Sequence, residues 1–268
     1  MLTSSTSEPL LRIDGLTRTR SQGRWWEKRF DCKALDGVDL TLETGKTLAL
    51  VGKSGAGKTT LAMCVAMLDK PDSGEIWFDG YDLLSLTKSQ HKVLRPRIQL
   101  IFQDSAAALP ARFSAAQVIE EPLLVQGRYS AKQRSELAIE LMLKVGLPPR
   151  EANRLPHQFS GGQRQRLAIA RSLALQPSLL ILDEPFTGLD LSIRGQIVNL
   201  LLELQAQLSL TFLYISHDLD LVRHFSDTVA VMDRGRVVEH ASARDLFRDP
   251  VHPESRALLA CTDARSRR

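Results

Sequence analysis

A chain of 268 residues with 43% hydrophobic residues can bury a substantial core, as one large domain or two small ones. Its three cysteines, Cys32, Cys64 and Cys261, lie too far apart for a disulfide framework or a zinc site. No apolar run approaches the roughly 20 residues that span a bilayer, and the net charge of +4 is mild, part of it in the tail residues Arg265, Arg267 and Arg268, which read as a solvated end rather than a nucleic-acid arm. Met1 to Pro9 is polar and has no apolar signal core, so a cytosolic protein is expected, one able to dock on a membrane component.

Leu11 to Leu16 and Val38 to Leu42 alternate apolar and polar residues and predict half-buried strands. Between them, Thr17 to Lys33 is polar and basic, with Trp25, Trp26 and Phe30 set into it, and reads as a long excursion. Glu43-Thr44-Gly45 then turns the chain into the apolar run Thr47 to Val51. The next nine residues are Gly52, Lys53, Ser54, Gly55, Ala56, Gly57, Lys58, Thr59 and Thr60, followed by a helix-compatible run from Leu61 to Leu68. Strand, glycine-rich loop and helix in this order are the context of a phosphate-binding P-loop. The glycines let backbone N–H groups close around phosphate oxygens, and the helix turns its positive dipole end to the same anion. Lys58 can reach the β- and γ-phosphates, and the Thr59 hydroxyl can ligate Mg²⁺. A dinucleotide fingerprint does not fit, because Thr60 stands where its third glycine would be.

Pro71 to Gly74 stops the first helix, Gly74 to Phe78 predicts a strand, and Asp79-Gly80 a turn. Another strand, Arg97 to Phe102, ends at Gln103. From Ala115 to Ala174 the apolar positions follow a helical period, as in Ile119–Gln126 and Lys132–Val145, broken midway by Gly146, Pro148 and Pro149. This is the pattern of a helical subdomain inserted into an α/β core. Phe159 then precedes Ser160, Gly161, Gly162 and Gln163, ahead of a helical run from Arg164 to Leu175. That sequence is either a second phosphate-reading helix start or an ordinary glycine turn with a serine cap.

Leu179 to Leu182 is an uninterrupted apolar run of the central-strand type, and it ends in Asp183-Glu184-Pro185. Functional groups in such sheets sit at the carboxyl ends of strands. Asp183 can hold Mg²⁺ through its water shell, and Glu184 can accept a proton from an attacking water. After Gly188-Leu189-Asp190, the spacing of Ile193, Ile197, Leu200, Leu201 and Leu204 predicts an amphipathic helix. Thr211 to Ile215 is a further buried strand, ending in Ser216-His217-Asp218, where His217 is a candidate site residue. Thr228–Met232 and Arg236–Glu239 flank Asp233-Arg234-Gly235 as a hairpin, and a short helical segment and a tail remain.

Taken together and in this order, these motifs resemble the ATP-binding subunit of ABC transporters from about Leu11 to Leu259. Gly52–Thr59 is similar to the Walker A loop, Gln103 to the Q-loop glutamine, and Ser160–Gln163 to the signature, with Phe159 where leucine is commoner. Leu179–Asp183 is similar to Walker B, Glu184 to the catalytic glutamate, Gly188–Asp190 to the D-loop and His217 to the switch histidine. The resemblance implies an α/β fold: a P-loop NTPase (RecA-like) core, an antiparallel β subdomain and an inserted α-helical subdomain at about 106–174. It implies a single ATPase domain over 11–262, with flexible ends at 1–10 and 263–268.

The same resemblance implies ATP and Mg²⁺ as cofactors. Lys58, Glu184 and His217 would be catalytic, Thr59, Gln103 and Asp183 would serve the metal, and the Walker A and signature residues would bind ATP. Two such subunits would stack head to tail, as a homodimer or with a second ATPase subunit, each ATP lying between one Walker A loop and the partner's signature. The implied partners are two membrane-spanning permeases and, indirectly, an extracytoplasmic binding protein, with no nucleic acid. The implied place is peripheral, on the cytoplasmic face of the inner membrane.

Asp190–Ile193, Tyr214–Leu219, Asp249–Pro253 and the excursion before Ala34 resemble, more narrowly, the dipeptide, oligopeptide and nickel importer ATPases. A soluble ABC ATPase accessory to a cytosolic complex, such as one for phosphonate breakdown, is the alternative. Two departures stand out. The aromatic residue that stacks on adenine in the family is replaced by Thr19 and Arg20, leaving Trp25, Trp26 or Phe30 to stack on the base or to pack on the core's edge. The C-terminal cysteine cluster of some relatives is reduced to Cys261, so no iron–sulfur centre is expected.

Overall fold

In the computed structural model, which describes residues 8–22, 30–103, 108–127 and 129–266, the chain opens on a long antiparallel pair. Strand β1 (Leu11–Gln22) pairs with β2 (Phe30–Leu42) from Leu11 opposite Leu42 out to Gln22 opposite Phe30. Most of the expected excursion is therefore strand. Its outer half lacks apolar alternation because carboxylates, not a core, hold it. The Arg18 guanidinium donates to Asp69 at 2.6 Å and to Asp72 at 2.9 Å, Arg20 donates to Asp69 at 3.0 Å, and the Thr19 N–H donates to Asp72 at 2.6 Å. The Thr19 N–H and the Arg18 guanidinium hold the Asp72 carboxyl below the usual carboxylate range. Trp25 and Trp26 lie outside the described residues.

The chain continues through β3 (Thr47–Val51), α1 (Lys58–Val65), β4 (Ser73–Phe78), β5 (Tyr81–Asp82) and α2 (Lys88–Leu94). The sequence reading passes over α2, yet its signal is present: the Thr87 hydroxyl and the Gln90 side chain cap each other's backbone N–H. Then come β6 (Ile98–Ile101), α3 (Ala115–Gln126), α4 (Ala131–Lys144), α5 (Gly161–Leu173), β7 (Leu179–Asp183) and α6 (Leu191–Leu208). The last stretch holds β8 (Thr211–Ile215), α7 (Leu219–Phe225), β9 (Thr228–Asp233), β10 (Arg236–Ser242), α8 (Ala243–Arg248) and α9 (Pro253–Ser266).

These elements form two compact units, the first running through Arg95 and resuming at Thr211, the second spanning Pro96–Leu210. In the first, β3 lies parallel to β8 on one side and β9 on the other, with β10 antiparallel beyond β9. Every residue of β3 and β8 is buried, which is why both read as unbroken apolar runs. Phe212, Tyr214 and Phe225 form an aromatic cluster, with centroids 5.4 and 5.2 Å from Phe225, and tie β8 to α7. A separate antiparallel sheet in this unit has the order β2-β1-β4-β5. The second unit pairs β6 with β7 in parallel, from Ile98 opposite Leu179 to Ile101 opposite Leu182, and carries the four helices α3 to α6.

The Asp69 cluster gives the first prediction. Asp69→Ala removes the acceptor of two arginines at a side chain only 16% exposed, and is expected to cost about 1–2 kcal/mol. Thermal unfolding checks the loss, and amide exchange at residues 17–22 should accelerate before the rest of the chain. Unaltered exchange there would show that β1 does not depend on the cluster.

Candidate functional site

The loop after β3 has a backbone that only glycine allows at two points. Gly52 and Gly57 have φ of +146° and +107°. A Cβ on Gly52 would run into the Met232 carbonyl oxygen, and one on Gly57 into that of Ala34. Helix α1 follows the cap position Gly57 without a side-chain cap and has no acidic residue in its first turn, so its own residues leave its positive end uncompensated. Lys58 is only 8% exposed. Its ammonium donates to the carbonyls of Gly52 at 2.7 Å and Lys53 at 2.9 Å, which holds the charge within the curve of the loop. Thr59 is exposed and Thr60 buried. The Gly235 N–H donates to the Ala56 carbonyl at 3.0 Å, which fastens the loop to the β9–β10 turn.

His217 leaves from the same end of the neighbouring strand. Leu50 stands opposite Ile215, and the Ser216 N–H reaches the Leu50 carbonyl at 3.4 Å. The histidine is exposed, while Asp218 beside it caps α7 by accepting from the Leu221 N–H at 3.2 Å. The first unit thus gathers the glycine loop, Lys58 and His217 at the carboxyl ends of two adjacent parallel strands. Behind the loop, burial pushes the Cys64 thiol up to about 11, which keeps it protonated and structural.

The second unit repeats that arrangement with different chemistry. Ile101 stands opposite Leu182, so Gln103 and Asp183 emerge from the same end of the β6–β7 pair. Gln103 is exposed, whereas Asp183 is 5% exposed. Glu184 follows in the left-handed region at φ +48°, a costly conformation for a non-glycine residue that turns the chain sharply at the strand end. The Thr187 hydroxyl donates to its carboxylate at 3.5 Å.

Ser160 caps α5: its hydroxyl accepts from the Gln163 N–H, and the Gln163 side chain accepts from the Ser160 N–H at 3.0 Å. The same Ser-x-x-Gln box caps α3 from Ser114 and α4 from Ser130. What sets Ser160 apart is the glycine pair. A Cβ on Gly162 would meet Ile193 Cγ2 at 2.6 Å, and one on Gly161 would touch Leu189, so the helix start lies close against the Gly188–Asp190 turn and α6. Phe159 is buried, with the Arg154 guanidinium over its ring at 5.2 Å, so the unusual residue at this position is absorbed as packing.

A glycine-rich loop, a buried ammonium and an uncapped helix start fit a nucleoside triphosphate. Thr59 and Asp183 offer hard oxygen donors of the kind Mg²⁺ takes. Among the described residues, no group of three or more His, Cys, Asp or Glu side chains could hold a metal by itself.

Two features escape the sequence reading. Lys53 pairs with Glu254 at 2.6 Å across 201 residues, a contact that no local pattern announces. The pairing holds the Glu254 carboxyl below its usual range and Lys53 above its own. Arg236 Nε and Nη2 both donate to one Asp36 carboxylate oxygen, at 2.8 and 2.6 Å, and likewise lock β2 to the turn behind the P-loop. In place of an adenine-stacking aromatic, Thr19 and Arg20 are committed to Asp72 and Asp69.

The sequence profile described as ABC transporter matches residues 35–187. The dipeptide transport ATP-binding protein DppF of Escherichia coli K12 is 47% identical over 86% of this chain and 69% of its own length. The oligopeptide transport ATP-binding protein AppF of Bacillus subtilis 168 is 43% identical over 97% of this chain and 80% of its own. Among solved structures, the dimeric, post-hydrolysis ATP-binding cassette MJ0796 bound to ADP and Pi superposes with a TM-score of 0.76 at 30% identity, covering 87% of this chain and 99% of that one.

Proposed function

The chain belongs to the ABC transporter family, and from that premise we propose that it is the ATP-hydrolysing subunit of an importer for di- or oligopeptides. The observation that carries this reading is the 47% and 43% identity, over 86% and 97% of this chain, with two ATP-binding proteins named for dipeptide and oligopeptide transport. Those names favour peptides over nickel, and an importer over an accessory ATPase of phosphonate breakdown.

The residues support the following roles. The N–H groups of Gly52–Thr60 and the Lys58 ammonium bind the phosphates of ATP, and Lys58 balances charge that builds up on the transferred phosphoryl group. Glu184 accepts the proton of the attacking water, and His217 contacts the γ-phosphate. Mg²⁺, held through Thr59, Asp183 and Gln103, would neutralise β- and γ-phosphate oxygens when bound. Ser160 to Gln163 present a second helix start to the ATP held by a partner cassette. This accounts for one chain carrying two phosphate-reading helix starts, and it fits the dimeric assembly of the related cassette. Among the described residues no helix is long and apolar enough to cross a membrane. In this reading the chain meets the membrane through permease partners, with the helical subdomain as the contact.

Affinity isolation of the tagged chain from gently solubilised membranes tests the assignment. Multi-span permeases should co-purify, with an extracytoplasmic peptide-binding protein encoded beside them. Recovery of soluble enzymes alone would move the function to an accessory ATPase.

A further inference from the structure

The first unit contains a second polar cleft that the ATP chemistry leaves unused. It lies among α7, the β10–α8 junction and α8, with a volume of about 670 Å³, inside the usual range for small-ligand sites. Arg223, Arg244 and Arg248, from two helices, line it. No ion pair to any of the three occurs among the described residues. Arg223 lies over the Phe247 ring at 5.9 Å, which restrains one guanidinium at the cleft wall.

The charge balance favours an anion. The one carboxylate in the lining, Asp227, already accepts from Lys46 Nζ at 3.0 Å and from the Thr47 N–H at 2.8 Å. Asp245 on α8 accepts from the Ser242 hydroxyl at 2.6 Å. The carboxyl end of α7 adds a partial negative charge of about half a unit. Three guanidiniums and Lys46 outweigh these. In the cleft lining, the Ser226 hydroxyl is buried with no hydrogen-bond partner, a cost that an oxyanion acceptor would relieve. Guanidinium forks match paired oxyanion oxygens, and several forks around one concavity select a group with more than one negative charge.

We propose that this cleft binds a phosphoryl group of at least two negative charges, carried by a free phosphorylated metabolite or by an anionic lipid headgroup. The test is calorimetric titration of inorganic pyrophosphate at low ionic strength into the full chain carrying Lys58→Ala, which removes the main cation of the P-loop. Saturable binding is expected, weakened at least tenfold when Arg244→Gln and Arg248→Gln are added. Arg223→Gln, alone in the same background, should weaken it several-fold.

Sedimentation with vesicles of phosphatidic acid in phosphatidylcholine, whose phosphomonoester headgroup can carry two negative charges, and with vesicles of phosphatidylcholine alone separates the sources. Arginine-dependent, pyrophosphate-displaced binding to the anionic vesicles assigns the site to a headgroup. Pyrophosphate binding without vesicle binding assigns it to a free phosphate. Absence of saturable binding in both assays, or equal binding with and without the arginines, overturns the proposal.

Discussion

Lys58→Ala is expected to weaken ATP binding by about 30-fold to a few-thousandfold and to bring hydrolysis to background. The size follows from where the charge sits. Lys58 is 8% exposed and is held by two loop carbonyls, so its ammonium meets the phosphates with little water between them. Charge pairs of that kind cost about 2–5 kcal/mol when one partner is removed, and each 1.4 kcal/mol is tenfold in affinity. Equilibrium binding of a fluorescent ATP analogue reads the first effect, and phosphate release under multiple turnover reads the second. Alanine also leaves the Gly52 and Lys53 carbonyls without this donor, so the variant's thermal unfolding is measured alongside. A folded variant that hydrolyses ATP at the normal rate would remove the P-loop assignment.

What the sequence revealed follows a physical division. β3, β7 and β8 are buried on both faces, and each appears in the sequence as an apolar run, with matching ends for β3 and β8 and one residue short for β7, which runs on to Asp183. Residues at the ends of those runs, from Gly52 to His217, could be singled out because strand ends are where such sheets keep their chemistry. The outer half of the β1–β2 hairpin was not legible, because Arg18 and Arg20 answer to carboxylates some 50 positions away. Helices α2 and α7 have seven residues each, too short for a periodic signal, although Thr87 and Asp218 cap them. The start of α5 shows the limit of motif reading. Its Ser-x-x-Gln box is the same local device that opens α3 and α4, and only its packed glycines mark it out.

Glu184→Gln should separate binding from turnover. Glutamine keeps the shape of the side chain but cannot take a proton from water, and loss of a positioned general base lowers rates about 10²–10⁴-fold. The P-loop is untouched by the change, so ATP affinity should stay within a few-fold of the parent. With ATP bound and not consumed, the closed pair of cassettes should persist, and size-exclusion chromatography in ATP should show a dimer that ADP does not support. The strained backbone at φ +48° sharpens the expectation. Strained backbone of this kind clusters at functional sites, and the Thr187 hydroxyl at 3.5 Å restrains the Glu184 carboxylate. Lys58→Ala loses the nucleotide, whereas Glu184→Gln keeps it and stalls. If Glu184→Gln turned over normally, another group would have to orient the water, and the role given to this strand end would have to be reassigned.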